Sequence, residues 1–302
     1  MPSYDFITVD VFTTQRFGGN PLAVFPNADG LTDAQMQAIA MELNLSETTF
    51  VLPPTDPRNH ARVRIFTPKT EMPFAGHPNV GTGYVLATLD DHPPEHYTFE
   101  EIAGLVRVHL LRNRAGAIEG TRISAPRSLS IDIGVPTELV AACASLTESD
   151  IATDAHDPLV ASVGAPFVIA EVTSLEVLAT ARPDLAAFRR GAADHPNLKE
   201  RFNLLLYTRR GETVTHLRTR MFAPLAGVME DPATGSANAA LAALLTSLAP
   251  GENVDLHFEI EQGVEMGRRS QIIASARKTA EGPVSATVAG SCVPVMRGTL
   301  TI

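Results

Sequence analysis

The sequence predicts an α+β protein of two similar domains, each a curved, mainly mixed or antiparallel, barrel-like sheet wrapped around one central helix. Three observations carry this: a short segment occurs twice about half the chain apart, the second copy runs into a helix that is apolar nearly all round, and short strands bounded by turn residues fill much of the rest. The first copy reads Arg64-Ile65-Phe66-Thr67-Pro68, then His77-Pro78-Asn79-Val80-Gly81-Thr82-Gly83. The second reads Arg220-Met221-Phe222-Ala223-Pro224, then Asp231-Pro232-Ala233-Thr234-Gly235-Ser236-Ala237. The blocks lie 156 and 154 residues apart, so a two-residue gap aligns them, setting His77 against Asp231 and Thr82 against Ser236. Each copy reads as a strand feeding a helix N-terminus, whose unpaired N–H groups suit an anion. The two helix starts are expected to face one cleft.

In chain order, residues 6–12 form a strand, 16–21 a turn and 22–25 a second strand. Thr32 and Gln35 make a capping box, and Met36, Ile39, Ala40 and Leu43 keep helical spacing after it, which predicts a helix over 32–43. Residues 48–52 are β-formers stopped by Pro53-Pro54, and 62–67 alternate as a strand. The first repeated helix is placed at Pro78, whose fixed φ suits a first turn. Strands follow at 97–100, 106–112 and 122–124, and 126–135 reads as the crossing into the second half. There, helices are expected near 138–146 and 184–190 and strands near 167–172, 204–207 and 213–222. The repeated helix is placed at Pro232, with Leu241, Leu244, Leu245 and Leu248 on one face and five alanines on the others, so sheet should enclose it. Strands at 254–260, 271–276 and 292–302 complete the chain. The expected domains are 1–125 and 126–302, with the last strand, about 290–302, able to return to the first.

With 302 residues, 44% hydrophobic and 19% charged, the chain holds enough apolar surface for two ordinary cores. A formal net charge of −10 argues against a nucleic-acid or anionic-membrane partner. No apolar run approaches the roughly 20 residues that span a bilayer. Met1-Pro2-Ser3-Tyr4-Asp5 has no basic, then apolar, leader pattern, so a cytoplasmic location is expected. Cys143 and Cys292 are too few and too far apart for a disulfide framework and read as buried thiols.

Three residues stand out chemically. Asp231 before Pro232 reads as an N-cap; yet Met229-Glu230-Asp231 places two carboxylates at one helix start, and Gly235 with Ser236 allows a ligand close to the backbone. His77 caps a helix poorly and needs another role, either a structural hydrogen bond or proton handling. Glu47, in Leu45-Ser46-Glu47-Thr48-Thr49-Phe50, opens an apolar strand with no basic residue near in sequence. It reads equally as a solvated turn residue or as a buried carboxylate of raised pKa fit to take a proton from carbon. Gly81-Thr82-Gly83 lacks the third glycine of a dinucleotide loop, and there is no Gly-Lys-Ser/Thr loop. Pro93-Pro94 between His92 and His96 rules out an i, i+4 zinc pair. The absence of a Gly-x-Ser-x-Gly elbow argues against a hydrolase triad of Ser236, His77 and Asp231.

The blocks Asp10-Val11-Phe12, Gly19-Asn20-Pro21-Leu22-Ala23-Val24, Leu45 to Phe50, Arg64 to Pro68, Phe74-Ala75-Gly76-His77-Pro78 and Glu230 to Ala237, with Glu261-Gln262-Gly263 and Met266-Gly267-Arg268, span nearly the whole chain. In them the sequence resembles the phenazine-biosynthesis PhzF-like proteins, within the diaminopimelate epimerase-like fold. Arg269 stands where that pattern expects proline. The resemblance implies a two-domain isomerase without metal or organic cofactor, a homodimer acting on a small carboxylate-bearing molecule. It implies that Glu47 moves a proton between substrate carbons, assisted by His77, Asp231 and Ser236. Gly76 and Gly235 would offer backbone N–H groups to a substrate carboxylate, and Asn20, Asn79 and Thr234 are assigned to binding with them. Epimerases of this fold hold a thiol on each side of the substrate; here Gly76 and Gly235-Ser236 stand instead, which argues against a two-thiol racemase. Two other readings stay open: a binding protein without turnover, and an epimerase with Glu47 and Asp231 as opposed bases.

Overall fold

The computed structural model describes residues 1–198, 201–211 and 213–302. Contacts gather into two units, Met1–Ser124 with Ala289–Ile302, and Ala125–Val288. Among the described residues no helix is long and apolar enough to cross a membrane.

The first unit contains β1 (Ser3–Val11), β2 (Asn20–Phe25), β3 (Glu47–Leu52), β4 (Ala61–Phe66), β5 (Glu71–Met72), β6 (His96–Glu101), β7 (Gly104–Arg112), β8 (Ile118–Ser124) and the later part of β18 (Gly282–Thr301). β18 pairs antiparallel with β1 and β1 with β2; β2 runs parallel to β3, β3 antiparallel to β4, and β4 parallel to β6. β6 and β7 then pair antiparallel, as do β7 and β8, and β8 bonds to β18 to close an eight-stranded ring. Closure leaves this ring no open edge. Inside it lies α2 (Gly76–Leu89), of which residues 76–85 are all buried. Two glycines let it fit. A Cβ on Gly81 would stand 2.5 Å from Leu22 Cδ2 and 2.8 Å from Val11 Cγ2, and one on Gly83 2.5 Å from Val108 Cγ1, so the helix backbone lies directly against β1, β2 and β7.

The outer face of the barrel carries α1 (Asp33–Leu43). The Thr32–Gln35 capping box forms as its sequence indicates. Met36, Ile39 and Ala40 pack on Phe25, Phe50 and Phe66, with the Phe25 and Phe50 rings stacked at 5.0 Å. Strand alternation divides the side chains of β3: Phe50 points out to α1, while Thr49 points in and meets Thr82 of α2, hydroxyl to hydroxyl, at 2.8 Å.

The second unit repeats this order. It contains β9 (Ser130–Gly134), α3 (Thr137–Cys143), β10 (Ile151–Ala152), β11 (Leu159–Ser162), β12 (Pro166–Val172), α4 (Leu175–Thr180), α5 (Leu185–Asp194), β13 (Leu204–Arg209), β14 (His216–Ala223), β15 (Val228–Asp231), α6 (Gly235–Leu248), β16 (Val254–Gln262) and β17 (Ser270–Thr279). The pairings β11–β12 antiparallel, β12–β13 parallel, β13–β14 antiparallel, β14–β16 parallel and β16–β17 antiparallel reproduce those from β1 to β7. The Ala- and Leu-rich α6 is buried over most of its length and packs on β11, β12, β16 and β17, as a helix without a polar face requires. Outside, α3, α4 and α5 share a core with Val168, Ala170, Leu204, Leu206 and Phe222. The stretch 126–135, expected as a plain crossing, contains β9.

The repeat holds to the side chain. Arg64 stacks on Phe66 at 5.1 Å and Arg220 on Phe222 at 5.0 Å. Each guanidinium also grips a glutamate with two nitrogens, Arg64 with Glu71 at 2.7 Å twice and Arg220 with Glu230 at 2.8 Å twice. The same arginines secure the outer helices, Arg64 through Asp33 in the first turn of α1 and Arg220 through the carbonyls of Leu178 and Ala181 at the end of α4.

Two expectations are corrected here. The repeated helices start at Gly76 and Gly235, two residues before Pro78 and three after Pro232. They therefore align 159 residues apart, with Asn79 Nδ2 donating to the Ala75 carbonyl at 3.0 Å and Asn238 Nδ2 to that of Thr234 at 2.9 Å. Three extra residues, in the turn around Pro224–Ala226, separate strand from helix in the second copy, so the gap runs opposite to the one read from sequence. Pro232 answers Pro73, His77 answers Ser236, and Asp231 answers Met72. The second correction follows: Asp231 ends β15 and is not the N-cap of α6, which is Thr234. Glu230, read as a second carboxylate at the helix start, belongs to Arg220.

Candidate active site

In the first unit Glu47, on the same face of β3 as Thr49, points to the start of α2. Its Oε2 lies 3.4 Å from His77 Nε2, and the two side chains are 17% and 5% exposed. Asn20, at the start of β2 and on the inward face with Leu22, brings Nδ2 to 3.3 Å from His77 Nδ1. Burial pushes the imidazole down to about 3, so His77 is neutral and its contact with Glu47 is not an ion pair. Nδ1 is the ring nitrogen that Asn20 holds, while Nε2 is buried, makes no hydrogen bond and meets the Glu47 carboxyl only as a 3.4 Å contact. Gly76, Asn79 and His77 share the first turn of α2, whose N-cap Ala75 has no side chain able to cap it.

In the second unit Asp231, Thr234, Gly235 and Ser236 form one short run into α6. Asp231 is 7% exposed and accepts from the Thr234 hydroxyl at 2.5 Å, so the Thr234 side chain is turned away from capping α6. Beneath them lies Gln262, wholly buried at the end of β16. Its Nε2 donates to the Asp231 carbonyl at 2.7 Å and to Thr234 Oγ1 at 3.1 Å. Its Oε1 accepts from Asn238 Nδ2 at 2.7 Å and from the Thr234 N–H at 3.2 Å. Gly263 follows at φ +73°, and a Cβ there would sit 2.6 Å from the carbonyl oxygens of both Pro232 and Arg268, so only glycine fits under this run. Ser270 Oγ donates to the Pro232 carbonyl at 2.8 Å. Arg269, which breaks the expected pattern, pairs with Glu261.

The sequence singled out Glu47, His77 and Asp231 as candidates and gave Gln262 no role. The pair Gln262 and Asp231 is separated by a whole helix and strand, so neither period nor local motif points to it. Cys143 and Cys292 are buried, and burial pushes the Cys143 thiol up to about 12 and that of Cys292 higher still. Among the described residues no group of three or more His, Cys, Asp or Glu side chains is placed to hold a metal ion.

Comparison with known proteins gives the family and the fold. Residues 9–298 match the family model described as phenazine biosynthesis-like protein. The chain belongs to the phenazine biosynthesis-like (PhzF) family. A full-length relative, an uncharacterized isomerase of Mesorhizobium japonicum, is 38% identical with 100% of both chains covered. The trans-2,3-dihydro-3-hydroxyanthranilate isomerase of Pseudomonas fluorescens is 33% identical over 99% of this chain and 100% of its own. The crystal structure of a PhzF-family phenazine biosynthesis protein from Bacillus anthracis superposes with a TM-score of 0.87 at 26% identity, covering 100% of both chains. As a member of this family the chain is an isomerase of diaminopimelate epimerase-like fold.

Proposed function

We propose that the chain moves a proton between two carbons of a small, cyclic, carboxylate-bearing substrate, with Glu47 as the acid/base. The observation that carries this is the mostly enclosed Glu47 carboxylate held against a neutral His77 that Asn20 orients. A neutral imidazole brings no positive charge to Glu47, and its buried Nε2, 3.4 Å from Oε2, confines the carboxyl at the start of α2 for proton transfer. His77, Asp231 and Ser236 assist transfer. Gly76, Gly235, Asn20 and Thr234 bind the substrate, whose carboxylate suits the N–H groups of a helix start with no side-chain cap; the wholly buried Asn79, bonded to the Ala75 carbonyl, supports the start of α2 from within. A relative named for trans-2,3-dihydro-3-hydroxyanthranilate supports an anthranilate-like ring as the substrate class. Assembly as a homodimer is proposed with it.

The internal repeat supplies no second copy of Glu47. Thr48 pairs with Phe66 and Leu204 with Phe222, so the counterpart of Glu47 in the second unit is Asn203, an amide that cannot abstract a proton. A single base returns the proton on the face it left, which gives a shift along the ring and not inversion at one carbon.

Incubation with trans-2,3-dihydro-3-hydroxyanthranilate and a panel of small cyclic carboxylates in D2O, read by NMR, tests the proposal. The native chain is expected to place deuterium in one of these compounds, and Glu47→Gln to lose roughly 100-fold or more of that rate while still binding it. Exchange retained in Glu47→Gln removes Glu47 as the base; thermal stabilisation by a compound without exchange in the native chain favours a binding protein.

A further inference from the structure

The internal repeat singles out Glu101. β6 runs parallel to β4 with Arg62 opposite Glu100, and β16 runs parallel to β14 with Arg218 opposite Glu261. Since Arg64 answers Arg220, Glu101 occupies the place of Gln262. Alternation agrees: Tyr97, Phe99 and Glu101 point inward on β6, as Phe258, Ile260 and Gln262 do on β16. In the second unit that place holds an amide tied to the segment before α6. In the first it holds a carboxyl facing Asn79, the counterpart of Asn238.

Both Glu101 oxygens are buried without a hydrogen-bond partner, and so is Asn79 Oδ1, while Asn79 Nδ2 is committed to the Ala75 carbonyl. The second Asn79 amide proton is the one donor that faces the Glu101 carboxyl, so among the described residues three buried acceptors, two carboxyl oxygens and Asn79 Oδ1, share at most that one proton. A charged carboxylate would deepen that deficit; a proton on Glu101 supplies the missing donor and removes the charge. Burial pushes the Glu101 carboxyl up to about 8, against a smaller downward pull from the Asn79 amide.

The charged groups nearby offer no compensation. Glu101 shares the lining of a surface hollow with Arg62 and Arg64 of β4, Glu71 of β5 and Glu100 of β6; Arg62 is exposed to solvent and, like Arg64, contributes nothing to the shift of the Glu101 carboxyl. Arg64 is bound by Glu71 and Asp33, and Glu100 accepts from the N–H groups of Thr55 and Asp56 and from Asn59. On α2 the titratable groups are His77, already neutral, and Tyr84, whose hydroxyl burial pushes up, and β7 presents Gly104 opposite Glu101. The loop after Glu101 also bonds the segment leading into α2, Ala103 N–H donating to the Pro73 carbonyl at 3.0 Å.

We propose that Glu101 is a positioning residue kept as the neutral acid, the counterpart of Gln262, and that its proton holds the first turn of α2, and His77 on it, in place. Its bearing on catalysis rests on the role proposed for His77; the test below needs no substrate, so it stands or fails apart from that reading.

The sign follows from linkage. An unfolded glutamate titrates near 4.3, whereas Glu101 in the fold holds its proton to about 8. The native state binds the extra proton across that window, so stability falls as pH rises from about 4.3 to 8 and is level above it. The experiment compares the native chain with Glu101→Gln from pH 4.5 to 9.5, by thermal unfolding and by amide exchange at Gly76, His77 and Asn79. The two are expected to match in acid; the native chain should then lose protection at these amides roughly tenfold per pH unit relative to Glu101→Gln until about pH 8, with a widening gap in Tm. An identical pH dependence in both overturns the proposal, as does a Glu101→Gln chain that does not fold at pH 4.5. Infrared spectra of the native chain with labelled glutamate give an independent reading: a protonated carboxyl at pH 6.5 that disappears by pH 10 is expected, and a Glu101 already ionised at pH 6.5 refutes it.

Discussion

Replacing Gln262 by leucine isolates what one buried amide contributes to the run that carries Asp231, Thr234 and Ser236. Leucine fills a similar volume and makes no hydrogen bond. It leaves the Asp231 carbonyl, the Thr234 N–H and one Asn238 Nδ2 proton without the partners they have at 2.7, 3.2 and 2.7 Å. Each buried polar group stranded in this way costs about 1–3 kcal/mol, and the added apolar burial returns about 1–2 kcal/mol, so a net loss of about 1–8 kcal/mol, centred near 4–5, is expected. The central value corresponds to a fall in Tm of about 10 °C or more for a unit of this size. Denaturant unfolding followed by circular dichroism gives the free energy, and hydrogen exchange over residues 228–240 shows where protection is lost. A loss below about 1 kcal/mol with unchanged exchange in this run would mean that the segment is held by something other than Gln262. Gln262→Glu sharpens the comparison, because it recreates Glu101 in the second unit. It should be tolerated in acid, as the neutral carboxylic acid still donates one hydrogen bond, and should destabilise progressively as pH rises and that donor is lost.

Two further outcomes are expected. Because burial holds His77 down to about 3, its ring resonances should not titrate between pH 5 and 8; the unfolded chain takes up this proton below about 6.5, so native stability should decline as pH falls from 6.5 toward 3, by about 3 kcal/mol at pH 4.5, and a ring that protonates near pH 6 refutes the assignment. Cys143 and Cys292 should resist a thiol reagent at pH 8 in the folded chain and react once it is unfolded; rapid labelling of either in the native state contradicts their burial.

How much of this was legible in the sequence depends on the range of each interaction. The Thr32–Gln35 capping box, the alanine-rich α6 and the strand that begins at Glu47 were read directly, because their causes lie within a few residues along the chain. The duplication was also legible, since both copies had to keep an arginine, a phenylalanine and a helix start. Its register was misread. Proline occurs at several positions before each helix, and a string match cannot tell which one the strand geometry selects; the bonds of Asn79 and Asn238 to the residue before each helix decide it.

By itself the sequence determined the class of fold and the repeated plan and put forward three candidate site residues, because period, capping and motif are local properties. Tertiary structure alone decided what those residues are chemically. The neutrality of His77 comes from burial within a closed barrel, the anchoring of Asp231 from a glutamine on a strand beyond the next helix, and the burial of Glu101 and Gln262 at equivalent places from the inward strand face that both side chains take. Desolvation and hydrogen-bond partnership depend on what surrounds a group in space, and the surroundings here come from strands as far apart in sequence as β1 and β18.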